Sequence, residues 1–398
     1  MRADVMTELQ RNQLACALSS LCVFRALLEK KPMKTLLCVL HGTDNLCAQM
    51  RHYGEFVFSL ADADYSFSAF LRRAVCEDEN YFIRHIAQGK ALPASVERNV
   101  QAELALFTKL TELSAADLID QTSAGYLPGF ENTPTDFVQL YHERIANIGR
   151  LGYGIFATAG MFKVSDNTII PVEAADQATL DGFVGYAEER QRILDNTRAL
   201  VEGRPAANAL LCGDAGTGKS STVKACANYF YDQGVRLIEL RKDQLFSLSY
   251  VMGRIADNPL KFIIFIDDLS FNKNDDCFSM LKAALEGSAT AKAKNAVIYA
   301  TSNRRHIVKE SFSDRGDADD VHHSDTVQEL MSLSDRFGLT VYFSRPNKAL
   351  YLDIVHALAE RNGLKLDRAE LDVRAEAFAL ARGSRSPRAA EQFIMSLM

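Results

Sequence analysis

No apolar run in the 398-residue chain approaches the roughly 18 residues that a membrane span needs. The opening stretch, MRADVMTELQRNQ, lacks the apolar core of a secretory signal. These two absences set the expectation of a cytoplasmic protein with no membrane partner. None of the eight cysteines stands in a C-x-x-C pair, and Cys212 and Cys226 fall inside apolar stretches, so they read as reduced core thiols rather than zinc ligands. An excess of positive charge is missing too. The net charge is −6, with 15 Lys and Arg against 18 Asp and Glu in residues 1–150 and 30 against 33 in the remainder. Neither half is the basic body of a constitutive nucleic-acid binder, although a local basic patch stays open. Internal repeats and low-complexity tracts are absent as well.

What is present is the composition of a folded protein, 47% hydrophobic and 24% charged, in a chain long enough for more than one domain. Residues 1–150 read as mainly helical. ELQRNQLACALSSLCVFRALLEKK sets Leu9, Leu14, Leu18, Leu21 and Phe24 on one side, and SFSAFLRRAVCEDENYFIRHIAQ and SVERNVQAELALFTKLTELSAADLID are also amphipathic. Pro32, Pro93, Pro128 and Pro134 punctuate this part. Residues 151–180 change character: two β-rich runs flank Ser165-Asp166-Asn167 as in a hairpin linker. A helix from Ala187 to Glu202 follows. Then come short apolar strands, NALLC (208–212), VRLIEL (235–240), FIIFI (262–266), AVIYA (296–300) and LTVYF (339–343), separated by helical stretches. That alternation predicts a parallel five-stranded sheet covered on both faces, an α/β domain over residues 181–346. Residues 347–398 read as a helical lid.

GDAGTGKS, residues 213–220, matches G-x-x-x-x-G-K-[ST] between an apolar strand and a helix. Such a loop must turn its backbone N–H groups onto phosphate oxygens, and glycine at 213, 216 and 218 frees it to curl that tightly. Gly213, Asp214, Ala215, Gly216, Thr217, Gly218, Lys219, Ser220 and Ser221 are therefore the candidate phosphate cradle. Lys219 reaches the β- and γ-phosphates, Ser220 ligates Mg²⁺, and the helix N-terminus adds its dipole. The strand FIIFI ends in Asp267-Asp268. Two adjacent carboxylates at a buried strand tip repel unless a cation lies close, and a magnesium ion held near Asp267 supplies it. Asp268 is open between orienting an attacking water and capping a turn. NKND at 272–275 looks like a guanine reader, but it follows the acidic strand too soon, so Asn272, Lys273 and Asp275 read as a polar loop and ATP is favoured over GTP.

With these motifs in place the chain resembles an AAA+ P-loop ATPase. The resemblance implies that Asn303, in TSNRR after a strand, is the first sensor. It implies that Arg336, in LSDRFG, is the arginine finger acting in trans in a homo-oligomer, and that Arg388, in SRSPRAAEQF, is the second sensor on the lid. Val184 and Gly185, in GFVGYAEERQ, match the segment that contacts adenine. Residues 150–398 are also similar to one bacterial family of AAA+ ATPases whose domain has no assigned function. One departure stands out: Asp268 occupies the place where the wider pattern has Glu, one methylene longer, which leaves hydrolysis possible but slow.

Several readings stay open on the residues alone. Arg336 competes with Arg304, Arg305 and Arg315 as the finger, or pairs with Asp335. Phe246 or Tyr250 belongs either to a polypeptide-threading loop or to a helix packed through Leu245, Leu248, Val251 and Ile255. The polar stretch 312–325, with His322 and His323, is either a metal site or a solvated loop, and Arg304-Arg305-His306 either touches nucleic acid or wires the sensor. The expected function is ATP hydrolysis coupled to remodelling of an unknown protein client or protein–nucleic-acid complex. The alternatives are a loader with little turnover and an interaction protein that works through residues 1–150.

Overall fold

The computed structural model describes residues 6–42, 45–119, 126–174, 176–269, 280–282, 285, 293–303 and 336–398. They form two compact units, Met1–Thr158 and Ala159–Met398.

The first unit is helical. Its helices are built on apolar faces at spacings of three and four. In Phe67–Glu77 the residues Phe67, Phe70, Leu71, Ala74 and Val75 are buried, and Ser66 caps the start by accepting the N–H of Ala69. The core gathers Phe24, Phe56, Phe67, Phe107, Phe137 and Tyr141, with Phe24 edge-on to both Phe107 and Tyr141. Two expected helices come out shorter. The first stops at Ser19, because the N–H groups of Cys22, Val23 and Phe24 turn onto the carboxylate of buried Glu103 at 2.8, 3.1 and 2.9 Å. The second breaks into Phe67–Glu77 and Tyr81–Ala87, where Asn80 caps the new start by accepting from Ile83.

The second unit is a seven-stranded sheet with helices. The strands are β1 (Met161–Ser165), β2 (Thr168–Pro171), β3 (Ala209–Gly213), β4 (Val235–Leu240), β5 (Lys261–Ile266), β6 (Ala296–Ser302) and β7 (Leu339–Phe343). Their order is β2-β1-β4-β5-β6-β3-β7. The five predicted strands are all parallel to their neighbours. The hairpin is more than a linker: β1 joins β4 in parallel register, Met161 opposite Leu237, and β2 closes that edge antiparallel. The sheet is therefore two strands wider than expected. Asp166 and Asn167 make the hairpin turn with positive φ, which these two residue types tolerate.

β5 lies between β4 and β6, and Phe262 to Ile266 are completely buried. Each such side chain contributes about 1.5–3 kcal/mol. That clamps the strand and fixes the position of the two aspartates at its tip. The C-terminal helices Lys348–Arg361, Arg368–Ala381 and Pro387–Met395 form their own small core around Tyr351, Ile354, Leu371 and Phe393. This is the α/β P-loop fold with a helical lid that the resemblance implies. Among the described residues no helix is long and apolar enough to cross a membrane.

Candidate nucleotide site

The carboxyl ends of β3, β5 and β6 meet at one cavity of about 430 Å³. The loop after β3 wraps one side of it. Gly213 sits at φ +141°, and a Cβ there would lie 2.0 Å from the carbonyl oxygen of Phe343 on the neighbouring strand, so only glycine fits. Gly218 takes φ +88° and starts the helix Lys219–Tyr229. The lid closes the other side: the N–H of Arg388 donates to the carbonyl oxygen of Gly216 at 3.3 Å.

Lys219 is almost fully buried. Its ammonium donates to the carbonyl oxygens of Gly213 (2.9 Å) and Asp214 (2.8 Å) and to Oδ1 of Asn303 (3.0 Å). Burial pushes its pKa down, and the nearby acids, Asp214 first, pull it part of the way back. Asn303 uses its other face: Nδ2 donates to Oδ1 of Asp268 at 2.7 Å. The amide thus links the cradle lysine to the strand-tip acid.

Asp267 accepts the hydroxyl of Ser220 at 2.6 Å and that of Thr301 at 2.5 Å, both on Oδ1. Asp268 departs from strand geometry, with φ +52°. Its N–H is held by Thr301 Oγ1 at 2.9 Å and, more loosely, by Oδ1 of Asp267 at 3.2 Å. The left-handed backbone turns the second aspartate away from the first, so the two adjacent acids do not share one direction. A left-handed non-glycine residue costs of order 1–3 kcal/mol, and the Thr301 bond helps to hold it.

Of the residues predicted from sequence, Val184, Ala215, Gly216, Thr217, Gly218, Lys219, Ser220, Ser221, Asp267, Asp268, Asn303 and Arg388 all line the cavity. Gly185, Gly213 and Asp214 do not line it but shape its wall; Gly185 has φ +75°, with Leu350 filling the place of a Cβ. Arg336 lies in the turn before β7 and is not part of the lining. Tyr250 is exposed on the helix Leu248–Ile255 and Phe246 on the turn just before it, while that helix buries Leu248, Val251, Met252 and Ile255, which is the packed-helix alternative. Asn272, Lys273, Asp275, Arg304, Arg305, His306, Arg315, His322, His323 and Asp335 lie outside the described residues.

The structure adds lining residues that the sequence reading missed. Thr301 joins both aspartates. Phe183 stacks its ring 5.2 Å from the Arg190 guanidinium, and both face the cavity. Tyr186 takes φ +53° and donates its hydroxyl to the carbonyl oxygen of Ser344 at 2.6 Å; burial raises that phenol to about 12. Glu391 on the lid faces in as well. The lining charges balance, with Arg190, Lys219 and Arg388 against Asp267, Asp268 and Glu391.

A family model described as "Protein of unknown function (DUF815)" matches residues 157–398. The chain belongs to this family. No curated protein matches it. Among solved structures, this DUF815 member is similar to the RuvB Holliday junction branch migration motor of Thermotoga maritima, with 15% identity over 55% of this chain and 63% of that one and a TM-score of 0.37. The chain therefore spans under two thirds of RuvB. It is also similar to a katanin structure solved for its self-assembly, with 16% identity over 55% of this chain and 69% of that one and a TM-score of 0.33.

Proposed function

We propose that this DUF815 protein is a magnesium-dependent AAA+ ATPase that hydrolyses ATP and acts as a homo-oligomer to remodel a protein or protein–nucleic-acid complex. One observation carries the nucleotide reading: Ser220 Oγ and Asp267 Oδ1 stand 2.6 Å apart at the start of the loop helix, beside the buried Lys219 ammonium. A hydroxyl and a carboxylate are hard oxygen donors of the kind magnesium takes. The glycine-lined cavity is wide enough for a nucleotide, and its loop tolerates no side chain at Gly213. The residues present fit both groups. Bound there, the triphosphate would bring the bond to be broken and the negative charge that Lys219 and the loop N–H groups are placed to neutralise, and magnesium held by Ser220 and Asp267 would share in neutralising it.

In this reading the chain's own residues divide the work. Lys219 exchanges its carbonyl partners for phosphate oxygens. Asp268, turned by its left-handed backbone, orients the water, and Asn303 fixes that carboxylate while bridging to Lys219. Val184 and Gly185 border the base, and Arg388 brings the lid to the phosphates. Arg336, which does not line its own chain's cavity, completes the site of a neighbouring subunit.

Two variants test this. Titration with a fluorescent ATP analogue should show saturable binding that needs magnesium, and phosphate release should follow. Lys219→Ala should lower turnover by about 10²–10³-fold. Arg336→Ala should lower it by about 10³–10⁵-fold while leaving nucleotide affinity intact. Absence of magnesium-dependent binding would sink the proposal. The short Asp268 side chain favours a second reading, a nucleotide-gated loader with little turnover. In that case Asp268→Asn would leave function nearly unchanged.

A further inference from the structure

The helical unit holds a second cavity, of about 570 Å³, between the helices Phe67–Glu77 and Phe137–Ala146 and the short turn Ile148–Leu151. Three arginines line it: Arg72, Arg73 and Arg144. The first two are exposed at its rim. Arg144 is 9% exposed, an unusual burial for a guanidinium. Its Nη2 donates to the carbonyl oxygen of Gly152 at 2.7 Å. Its Nε–H, sealed from water, has no partner in the protein. A buried donor left unpaired costs about 1–3 kcal/mol, more when it is charged, so an acceptor is missing from this place. Nothing in the nucleotide reading uses it.

The surroundings narrow the acceptor's chemistry. Among the lining residues only Glu143 is acidic, and its carboxylate already accepts from Gln139 at 2.9 Å. Glu77 and Asp78 stand nearby outside the lining, and burial raises both carboxyls. Arg72, Arg144 and the half-buried Cys76 all line this one cavity. The lining carries three cations against one anion, and even with Glu77 beside Arg73 and Arg144 the wall stays cationic, which suits an anionic ligand. Ala69, Leu140 and Leu151 give the rest of the wall an apolar character, suited to the body of a ligand rather than to a bare ion.

We infer that this cavity is a binding site for a small phosphate monoester, whose phosphoryl oxygens bridge Arg72 and Arg73 and supply the missing acceptor once the Arg144 guanidinium turns toward the cavity it lines. Arginine is the side chain suited to this task, since its fork meets two phosphate oxygens at once.

The test uses the full chain carrying Lys219→Ala, so that the P-loop does not compete, with phenyl phosphate as the probe and calorimetry at constant ionic strength. Saturable binding is expected, and the double change Arg72→Gln with Arg73→Gln should weaken it about tenfold or more. Both residues are exposed, so folding should survive. Arg144→Lys keeps the charge and removes the Nε donor, and it should weaken binding further than its unchanged charge would suggest. Benzoate, a carboxylate of similar body, should bind more weakly, and a short single-stranded oligonucleotide should not compete. The inference is overturned if phenyl phosphate shows no saturation in the millimolar range. It is equally overturned if the double variant binds as well as its parent, or if benzoate or the oligonucleotide proves the better ligand.

Discussion

Buried charge in the two units is used in opposite ways. In the helical unit the Glu103 carboxylate accepts three backbone N–H groups, from Cys22, Val23 and Phe24. Those partners belong to the chain's own turn and have nowhere else to go. In the α/β unit Lys219 and Asp267 are held by carbonyl oxygens, an amide and two hydroxyls, groups that can change partners when a ligand arrives. The first arrangement ends a helix and locks a fold. The second keeps Lys219 buried and Asp267 half-buried, both positioned but exchangeable, which is what binding requires.

A pair of substitutions gives the sharpest break in that comparison. Glu103→Ala strands the buried Phe24 N–H and leaves the part-buried Cys22 and Val23 N–H groups to water, so a loss of about 3 kcal/mol is expected. For a unit of this size that lowers the melting temperature by about 6–12 °C. ATP affinity should not change. Lys219→Ala should do the reverse, removing nucleotide-dependent activity with little change in melting. Calorimetric melting and nucleotide titration of both variants check this; equal losses of stability in the two would erase the distinction drawn here.

Thr301 sharpens it at a finer scale. Its hydroxyl donates to Asp267 at 2.5 Å and accepts from the Asp268 N–H at 2.9 Å. Thr301→Val keeps the shape and removes both bonds. Turnover should fall about tenfold, equivalent to about 1.4 kcal/mol, with a much smaller change in nucleotide affinity, and Thr301→Ser should restore most of it. A fall in affinity as large as the fall in turnover would mean that Thr301 serves binding rather than the placement of Asp268.

These contrasts also show what was legible beforehand. Strand β4 falls on the span that its apolar run predicts, Val235–Leu240, because a parallel strand buried on both faces writes itself as consecutive apolar residues; β7 matches Leu339–Phe343 as well, although at the sheet edge it leaves Tyr342 exposed. The glycine loop after β3 was legible for a similar reason: Gly213, Gly216, Gly218 and Lys219 all fall within one short stretch. The edge hairpin was seen, but its pairing with β4 was not, since register between distant segments leaves no local trace. Thr301 looked like any polar residue ending a strand. Its role depends on Asp267 and Asp268 arriving from another strand. Phe183 and Arg190 went unnoticed likewise, as did the three arginines of the helical unit, spread over two helices.

The smallest effect concerns pH, where the two units should move in opposite directions. Burial raises the Glu77 carboxyl above its ordinary 4.5 and the Asp78 carboxyl above 3.8. Folding thus favours their protonated forms. Their contribution to stability is fully present below those ordinary values and is lost as pH climbs through the raised ones. On the lid, a hydrogen bond from Arg385 lowers the Glu376 carboxyl below 4.5. Its contribution is present above 4.5 and is lost as pH falls through the lowered value. Within the helical unit Glu29, lowered by Lys34, opposes the trend, but at a fully exposed site where solvent screens it. Amide hydrogen exchange followed from about pH 4 to pH 6 reads both units at once. Opening free energies should decline with pH around Phe67–Glu77 and rise around Arg368–Ala381, and Glu77→Gln should flatten the first slope alone. Parallel slopes in the two units, or a Glu77→Gln slope equal to that of the parent, would show that burial does not govern the Glu77 carboxyl.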